Sequence, residues 1–444
     1  MEYLTGVRHK DTLEISELRK QAQPGQTVKV NGAVHAIRNM GTVAFVILRK
    51  REGLLQGVYE EGTAKFDLKD IKEAATIEVE GVLEENEKAP GGIEIRMKNL
   101  KILSQPQDEM MPLAISKWKL NTSLEAKLNY RSISLRNIRE RAKFRIQEGL
   151  TRAFRDFLYS QGFTEIHTPK IGAKGAEGGA NIFKLEYFHR PAVLAQSPQF
   201  YKQMMVGVFD RVFETAPVFR AEKHNTKRHL NEYTSLDFEM GYIDGFEDIM
   251  AMETGYQQYA MELLKKDYAQ ELKILGITLP EVEKIPAVKF SDIKEKVSEK
   301  YGHKMRNPFD LESEEEQLIS QYAKEEWGSD FVFVTHYPSK KRPFYAMDDP
   351  KDPRYTLSFD LLFRGMEITT GGQRIHDYEM LAEKIKARGM SQEGMEQYLD
   401  TFKHGMPPHG GIGIGLERLT MKLIGEDNVR ETTLFPRDLS RLEP

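Results

Sequence analysis

Residues 211–243, RVFETAPVFRAEKHNTKRHLNEYTSLDFEMGYI, carry the reading on which the fold class turns. Two strand-like runs, 211–219 and 234–243, flank a polar loop with no helix between them. Strands joined so directly pair antiparallel, so the chain reads as α+β. Further strands are predicted at 330–336, 357–368 and 410–414, and helices at 246–273, 311–326 and 378–401. The hairpin loop holds Arg220, Arg228 and His229. Arginines on a rigid hairpin can grip phosphate through forked, charge-assisted hydrogen bonds. A solvated hairpin with surface ion pairs fits the bare pattern equally well.

Toward the N-terminus the text changes. Runs at 28–34, 42–48, 54–59, 75–83 and 92–97 are separated by clusters such as Arg51-Glu52-Gly53 and Pro90-Gly91-Gly92. Five short strands at this spacing predict a small barrel. An OB-fold is one such barrel and binds oligonucleotides on its face; another small barrel or sandwich fits as well. Residues 105–128 are polar, broken by Pro106 and Pro112, and read as a hinge. From Asn129 apolar residues recur at three- and four-residue spacing up to Gly162, a helix and its end. The expected organisation is a barrel over 1–104, a hinge over 105–128 and a second domain over 129–444, with a helical insertion around 246–330.

The 444 residues are 40% hydrophobic and 30% charged, enough for a sizeable core. The net charge of −4 gives no overall basic footprint, so any nucleic-acid contact must use local stripes. With no cysteine, disulfides, thiolate catalysis and thiolate zinc sites are excluded. A metal would need carboxylates or histidines, and hard oxygen ligands suit Mg²⁺. No apolar leader and no membrane-length apolar run is seen, which makes the cytoplasm the expected location.

Three more segments can carry chemistry. Gly175 to Asn181 surrounds Glu177 with small residues, as in a mobile loop delivering a carboxylate or in an ordinary glycine turn. Asp360 and Glu367 are seven apart, so simple strand alternation puts them on opposite faces. A bulge or bend near Gly365 would be needed for both to meet one cation. The stretch His409 to Leu419, HGGIGIGLERL, is a glycine-rich strand that lets a ligand approach the backbone. Arg418 follows in the first turn of a helix, where a cation opposes the dipole.

In this order the segments resemble the three signature motifs of class II aminoacyl-tRNA synthetases. The first is the helix ending near Gly162 with Phe163-Thr164-Glu165-Ile166-His167-Thr168-Pro169; the second runs from Phe219-Arg220-Ala221-Glu222 to Glu239; the third ends in Gly415-Leu416-Glu417-Arg418. Gln196 to Gln203 and Gln373-Arg374-Ile375-His376-Asp377 are similar to the aspartyl family, and the ending Leu434 to Asp438 to its archaeal and eukaryotic branch. The resemblance implies a homodimer, an OB-fold that reads the anticodon, and ligation of aspartate to tRNA with ATP and Mg²⁺.

Site roles follow from the resemblance. Arg220 is expected on the α-phosphate, Arg418 on the γ-phosphate and adenine face, Tyr233 against adenine, and Glu222 near an adenosine. Arg228, His229, Leu230, Glu367 and Gly415 complete the ATP site, and Asp360, Glu367 and Thr370 the Mg²⁺ site. Lys202 and Arg374 are expected on the aspartate side chain, and Gln199, Asp237 and Glu177 around its amino group. Phe45 and Gln56 match a stacking aromatic and a base-reading glutamine for the central anticodon uridine. His35 and Pro90 match the combination of relaxed relatives, which also place aspartate on tRNA for asparagine. The rivals are an asparaginyl enzyme, a strictly discriminating aspartyl enzyme, a catalytically silent paralogue and an aspartate–ammonia ligase. Lys202 with Arg374 opposes the first, since a neutral amide does not need two cations.

Overall fold

The computed structural model describes residues 11–108, 110–173, 181–223, 226–304 and 306–443. The chain divides into two compact units, 1–141 and 142–444.

In the first unit, α1 (Ile15–Gln21) precedes β1 (Thr27–Asn39), β2 (Val43–Lys50), β3 (Gly53–Glu60), β4 (Thr76–Glu85) and β5 (Ile93–Ser104). The strands close into a barrel in the order β1-β2-β3-β5-β4, with β3 and β5 parallel. Alternation builds it: Ala44, Val46 and Leu48 of β2 and Ile77, Val79 and Leu83 of β4 enter the barrel core. Short helices at Leu124–Asn129 and Arg131–Ser134 follow the barrel, the first inside the stretch expected as hinge.

The second unit is built on an eight-stranded sheet: β6 (Thr164–Glu165), β7 (Arg211–Phe219), β8 (Glu232–Gly241), β9 (Ala287–Lys289), β10 (Phe331–Thr335), β11 (Ser358–Phe363), β12 (Met366–Arg374) and β13 (His409–Gly415). The spatial order is β9-β10-β11-β12-β13-β8-β7-β6, antiparallel except at the outer pairs β9/β10 and β6/β7. Leu236, Phe238 and Met240 of β8 and Ile412 and Ile414 of β13 point to the core. There they meet Ile146, Leu150, Ala153 and Phe154 of α2 (Ile138–Ser160) and Ile249, Tyr256 and Ala260 of α4 (Phe246–Asp267). The helix between these two in sequence, α3 (Gln199–Phe209), packs against β7 and β8.

Three expectations need correction. The strand expected over 357–368 is a hairpin, because Arg364 and Gly365 both take positive φ and turn the chain. The helix expected over 378–401 is two helices, Tyr378–Ala387 and Glu396–Lys403, parted by Gly389 and Gly394 at positive φ. The region around 246–330 is not a purely helical insertion. It supplies the edge strand β9, and α4 is a wall of the main core.

Candidate active site

One face of the sheet is core and the other is a cleft. On β8 the residues alternating with the core set are Ser235, Asp237 and Glu239; on β13 they are Gly411, Gly413 and Gly415. The register pairs Asp237 with Gly413 and Glu239 with Gly411. A β-carbon on Gly411 would collide with the Glu239 carboxylate and the Phe238 carbonyl. The glycine-rich strand therefore makes room for a buried acid on its neighbour.

That acid is the centre of a charge cluster. Lys202, on the first turn of α3, donates to Asp237 Oδ1 at 2.9 Å and to the Ile412 carbonyl at 2.7 Å, and lies 3.3 Å from Glu239 Oε2. Arg374, the last residue of β12, donates from Nε to Glu239 Oε1 at 2.9 Å and from Nη2 to the Gly411 carbonyl at 3.0 Å. Gln199 Oε1 lies 3.5 Å from the same guanidinium. Lys202, Arg374, Asp237 and Glu239 are all at most 6% exposed. Burial works to raise the Glu239 carboxyl, but Arg374 and Lys202 outweigh it and hold it below its ordinary value. Ser235 donates its hydroxyl to Asp237 Oδ2.

The other end of the cleft is more open. Arg220 stands over the Tyr233 ring at 5.7 Å, within cation–π range. Its Nη1 lies 4.0 Å from Glu222, which also faces His229 at 3.7 Å. Asn231 donates to the carbonyls of Arg220 and Glu222 at 2.7 and 3.0 Å and so fixes the loop's start. Arg418 donates to the carbonyls of Arg228 and Glu367, both at 3.3 Å, and lies 3.9 Å from the Glu367 carboxylate. These acceptors explain a cation at a helix N-terminus. Beside it, the buried Glu417 accepts from the Thr234 amide at 3.0 Å, and burial pushes its carboxyl up to about 7.

The hairpin answers the spacing problem of Asp360 and Glu367. The β11/β12 register shifts between Leu361 and Leu362, so one extra residue stands on β12. Asp360 pairs with Thr370, whose hydroxyl donates to Glu367 Oε1 at 2.8 Å. The bulge turns Glu367 and Thr370 to one side. Asp360, however, does not line the cleft itself. Arg342 covers it, donating to Asp360 Oδ1 at 2.7 Å and to Ser358 at 3.1 Å, with its guanidinium 3.9 Å from the Tyr337 ring. Burial and Glu367 push the Asp360 carboxyl up against the pull of Arg342. Burial also works to raise Glu367, but Arg418, the Thr370 hydroxyl and Arg342 leave it below its ordinary value.

The cleft, with an empty volume of about 1070 Å³, brings together Gln199, Lys202, Arg220, Glu222, Arg228, His229, Leu230, Tyr233, Asp237, Glu367, Thr370, Arg374, Gly415 and Arg418. Glu177 lies outside the described residues. Sequence reasoning missed Glu239, Arg342 and Glu417 as site residues. Glu239 was legible, two residues after Asp237 on one strand; Arg342 sits in a loop and carries no local signal. No group of three or more acidic or histidine side chains able to hold a metal occurs among the described residues.

On the barrel, Phe45 is absent from the core and Gln56 is nearly buried. The pairs Phe45/Val58 and Ile47/Gln56 put Phe45 and Gln56 on the same outer face. Gln56 Nε2 donates to Glu94 at 2.8 Å, as does Asn86. His35 lies in the bulge between Val34 and Ala36 and is 4% exposed; burial, with Arg49 and Arg141 near, lowers it to about 4. Pro90 opens a short 3₁₀ turn over Pro90–Gly92.

Residues 123–439 match the family model described as tRNA synthetases class II (D, K and N), and residues 28–103 match an OB-fold nucleic acid binding domain. The chain belongs to the class II tRNA synthetases. It is 49% identical to the aspartate–tRNA(Asp/Asn) ligase of Deinococcus radiodurans, over 95% of this synthetase and 96% of that protein. With the enzyme of the same description from Thermus thermophilus it shares 47%, over 96% and 98%. Among solved structures, this synthetase is similar to the asparaginyl-tRNA synthetase of Pyrococcus horikoshii complexed with asparaginyl-adenylate. The TM-score is 0.90 at 29% identity, covering 98% and 99% of the two chains. The aspartyl-tRNA synthetase of Entamoeba histolytica gives 0.86 at 31%, covering 98% and 93%. No helix among the described residues is long and apolar enough to cross a membrane.

Proposed function

We propose that the chain is an aspartate–tRNA ligase that charges both tRNA(Asp) and tRNA(Asn), acting as a cytoplasmic homodimer. The observation that carries the amino-acid choice is the sharing of Glu239 between Lys202 and Arg374. Lys202 and Arg374 bring two positive charges; Asp237 and Glu239 bring two negative ones. A zwitterionic substrate brings an ammonium and an α-carboxylate, so its backbone adds no net charge. With Asp237 turned to the ammonium, the side chain meets Lys202 and Arg374 against Glu239 alone, a local excess of one positive charge that an aspartate carboxylate offsets. Asparagine would leave that buried excess uncompensated, which is strongly unfavourable.

The reaction needs no protein nucleophile. The substrate α-carboxylate attacks the α-phosphorus of ATP, forming aspartyl-adenylate as the bond to pyrophosphate breaks. The 3′-hydroxyl of the terminal tRNA ribose then attacks the carbonyl carbon, and AMP leaves. Arg220 is suited to the α-phosphate and, with Tyr233, to the adenine side of the site. Arg418 is suited to the outer phosphates. Positioning and charge stabilisation by such groups are the main contributions to this chemistry.

The donor set fits Mg²⁺, which binds through one or two carboxylates plus substrate phosphates. Glu367 and Thr370 offer hard oxygens to the cleft, and Asp360 would join them once Arg342 moves off it. When bound, the ion would neutralise charge on the phosphates.

Phe45 and Gln56 share the outer face of the barrel, which supports stacking and edge reading of an unpaired base. His35 and Pro90, together with relatives described as tRNA(Asp/Asn) ligases, support relaxed tRNA choice. The test is charging of pure tRNA(Asp) and pure tRNA(Asn) with labelled aspartate and, separately, labelled asparagine. Aspartate on both is expected. Aspartate on tRNA(Asp) alone would remove the relaxed reading, and asparagine on either would overturn the amino-acid assignment.

A further inference from the structure

Arg228 lines the cleft, yet its fork is spent on a helix outside the three signature motifs. Nη1 donates to the Ser313 hydroxyl and Nη2 to Glu316 Oε2, both on α5 (Ser313–Trp327). Ser313 and Glu316 are three apart in the first turn and so share a face. Glu316 is 7% exposed, and the same Oε2 accepts from the Glu367 amide at 2.9 Å. The Arg228 carbonyl receives Arg418 Nε at 3.3 Å. A hydroxyl and a carboxylate oxygen thus meet a guanidinium as two phosphate oxygens would.

We propose that Ser313 and Glu316 form a parking site from which Arg228 exchanges onto the ATP phosphates. Glu316 is then a positioning residue that sets nucleotide affinity by holding an arginine back. The inference rests on the cleft being the ATP site. The geometry favours exchange because the parked fork uses the donors that a phosphate would take, and because Arg228 sits in the loop between β7 and β8 while its partners sit on a separate helix. Opening the parked pair opposes nucleotide binding, so weakening the pair strengthens that binding.

The test is aspartate-dependent pyrophosphate exchange at varied ATP for the wild type, Glu316→Gln, Ser313→Ala, Arg228→Ala and the double variant of Arg228 and Glu316. Glu316→Gln keeps an acceptor for the Glu367 amide. It is expected to lower KM for ATP about three- to tenfold, the difference between a hydrogen bond to a carboxylate and one to a neutral amide, with KM for aspartate unchanged. Ser313→Ala is expected to move KM for ATP the same way by less, and gives the answer if Glu316→Gln does not fold. On Arg228→Ala, the Glu316 change is expected to have no effect. A rise or no change in KM for ATP would overturn the parking site, since a merely structural clamp loses affinity when loosened. A wild type inactive with aspartate would instead overturn the functional reading beneath it.

Discussion

The two ends of the cleft, proposed above for the amino acid and for the nucleotide, hold charge in opposite ways. At the amino-acid end Lys202 and Glu239 side chains are at most 2% exposed, and they are held by each other and by groups on β8, β12 and β13. At the nucleotide end Arg220 and Glu367 are 38% and 35% exposed, and Arg228 reaches from a loop to a helix. A buried, pre-paired cluster cannot relax around a wrong charge, so it discriminates. A half-open set of arginines can change partners, so it suits a substrate that arrives, reacts and leaves as pyrophosphate. Discrimination is therefore expected to reside in the closed end and turnover in the open end.

The hardest way to break this contrast is Arg374→Leu. It leaves the buried Glu239 with Lys202 alone, and removing one partner of a buried pair costs about 3–5 kcal/mol. Aspartate-dependent pyrophosphate exchange is expected to fall by about 10² to 10³, together with a lower melting temperature. Arg418→Ala works on the open end. It should lower kcat by about a hundredfold through lost charge stabilisation while leaving the melting temperature near the wild type. Equal loss of stability in both variants would erase the distinction.

Two finer changes sharpen it. Thr370→Val removes the hydroxyl on Glu367, and supporting hydrogen bonds of this kind are worth about tenfold in metal affinity, so the Mg²⁺ concentration for half-maximal exchange should rise by that factor. Beneath the sheet, Glu253 on α4 is fully buried, takes a 2.5 Å hydrogen bond from Thr369, and is pushed up to about 8 by burial. The folded state keeps this proton where the unfolded chain has released it, so stability falls as pH rises from about 4.5 to 8. Glu253→Gln should remove that slope, worth on the order of 4 kcal/mol, in melting curves recorded from pH 5 to 9.

Much of this architecture was legible beforehand because it is local. Strands over 211–219 and 410–414 announce themselves by β-branched or glycine-rich text, and Arg220, Lys202 and Arg374 by the motifs around them. What stayed hidden is what tertiary contact creates. The turn at Arg364-Gly365 reads as a strand because apolar residues flank it on both sides; a bend near Gly365 was required only if Asp360 and Glu367 were to share a cation, and the positive φ of both residues shows that the chain reverses there. Arg342 over Asp360 and Glu316 under Arg228 join elements 18 and 88 residues apart, beyond any helical or strand period.

The most direct test of the charge account is pyrophosphate exchange by the wild type with aspartate and with asparagine, side by side. The account predicts kcat/KM for aspartate higher by about a thousandfold, the worth of one uncompensated buried charge. Comparable values, or a preference for asparagine, would contradict it.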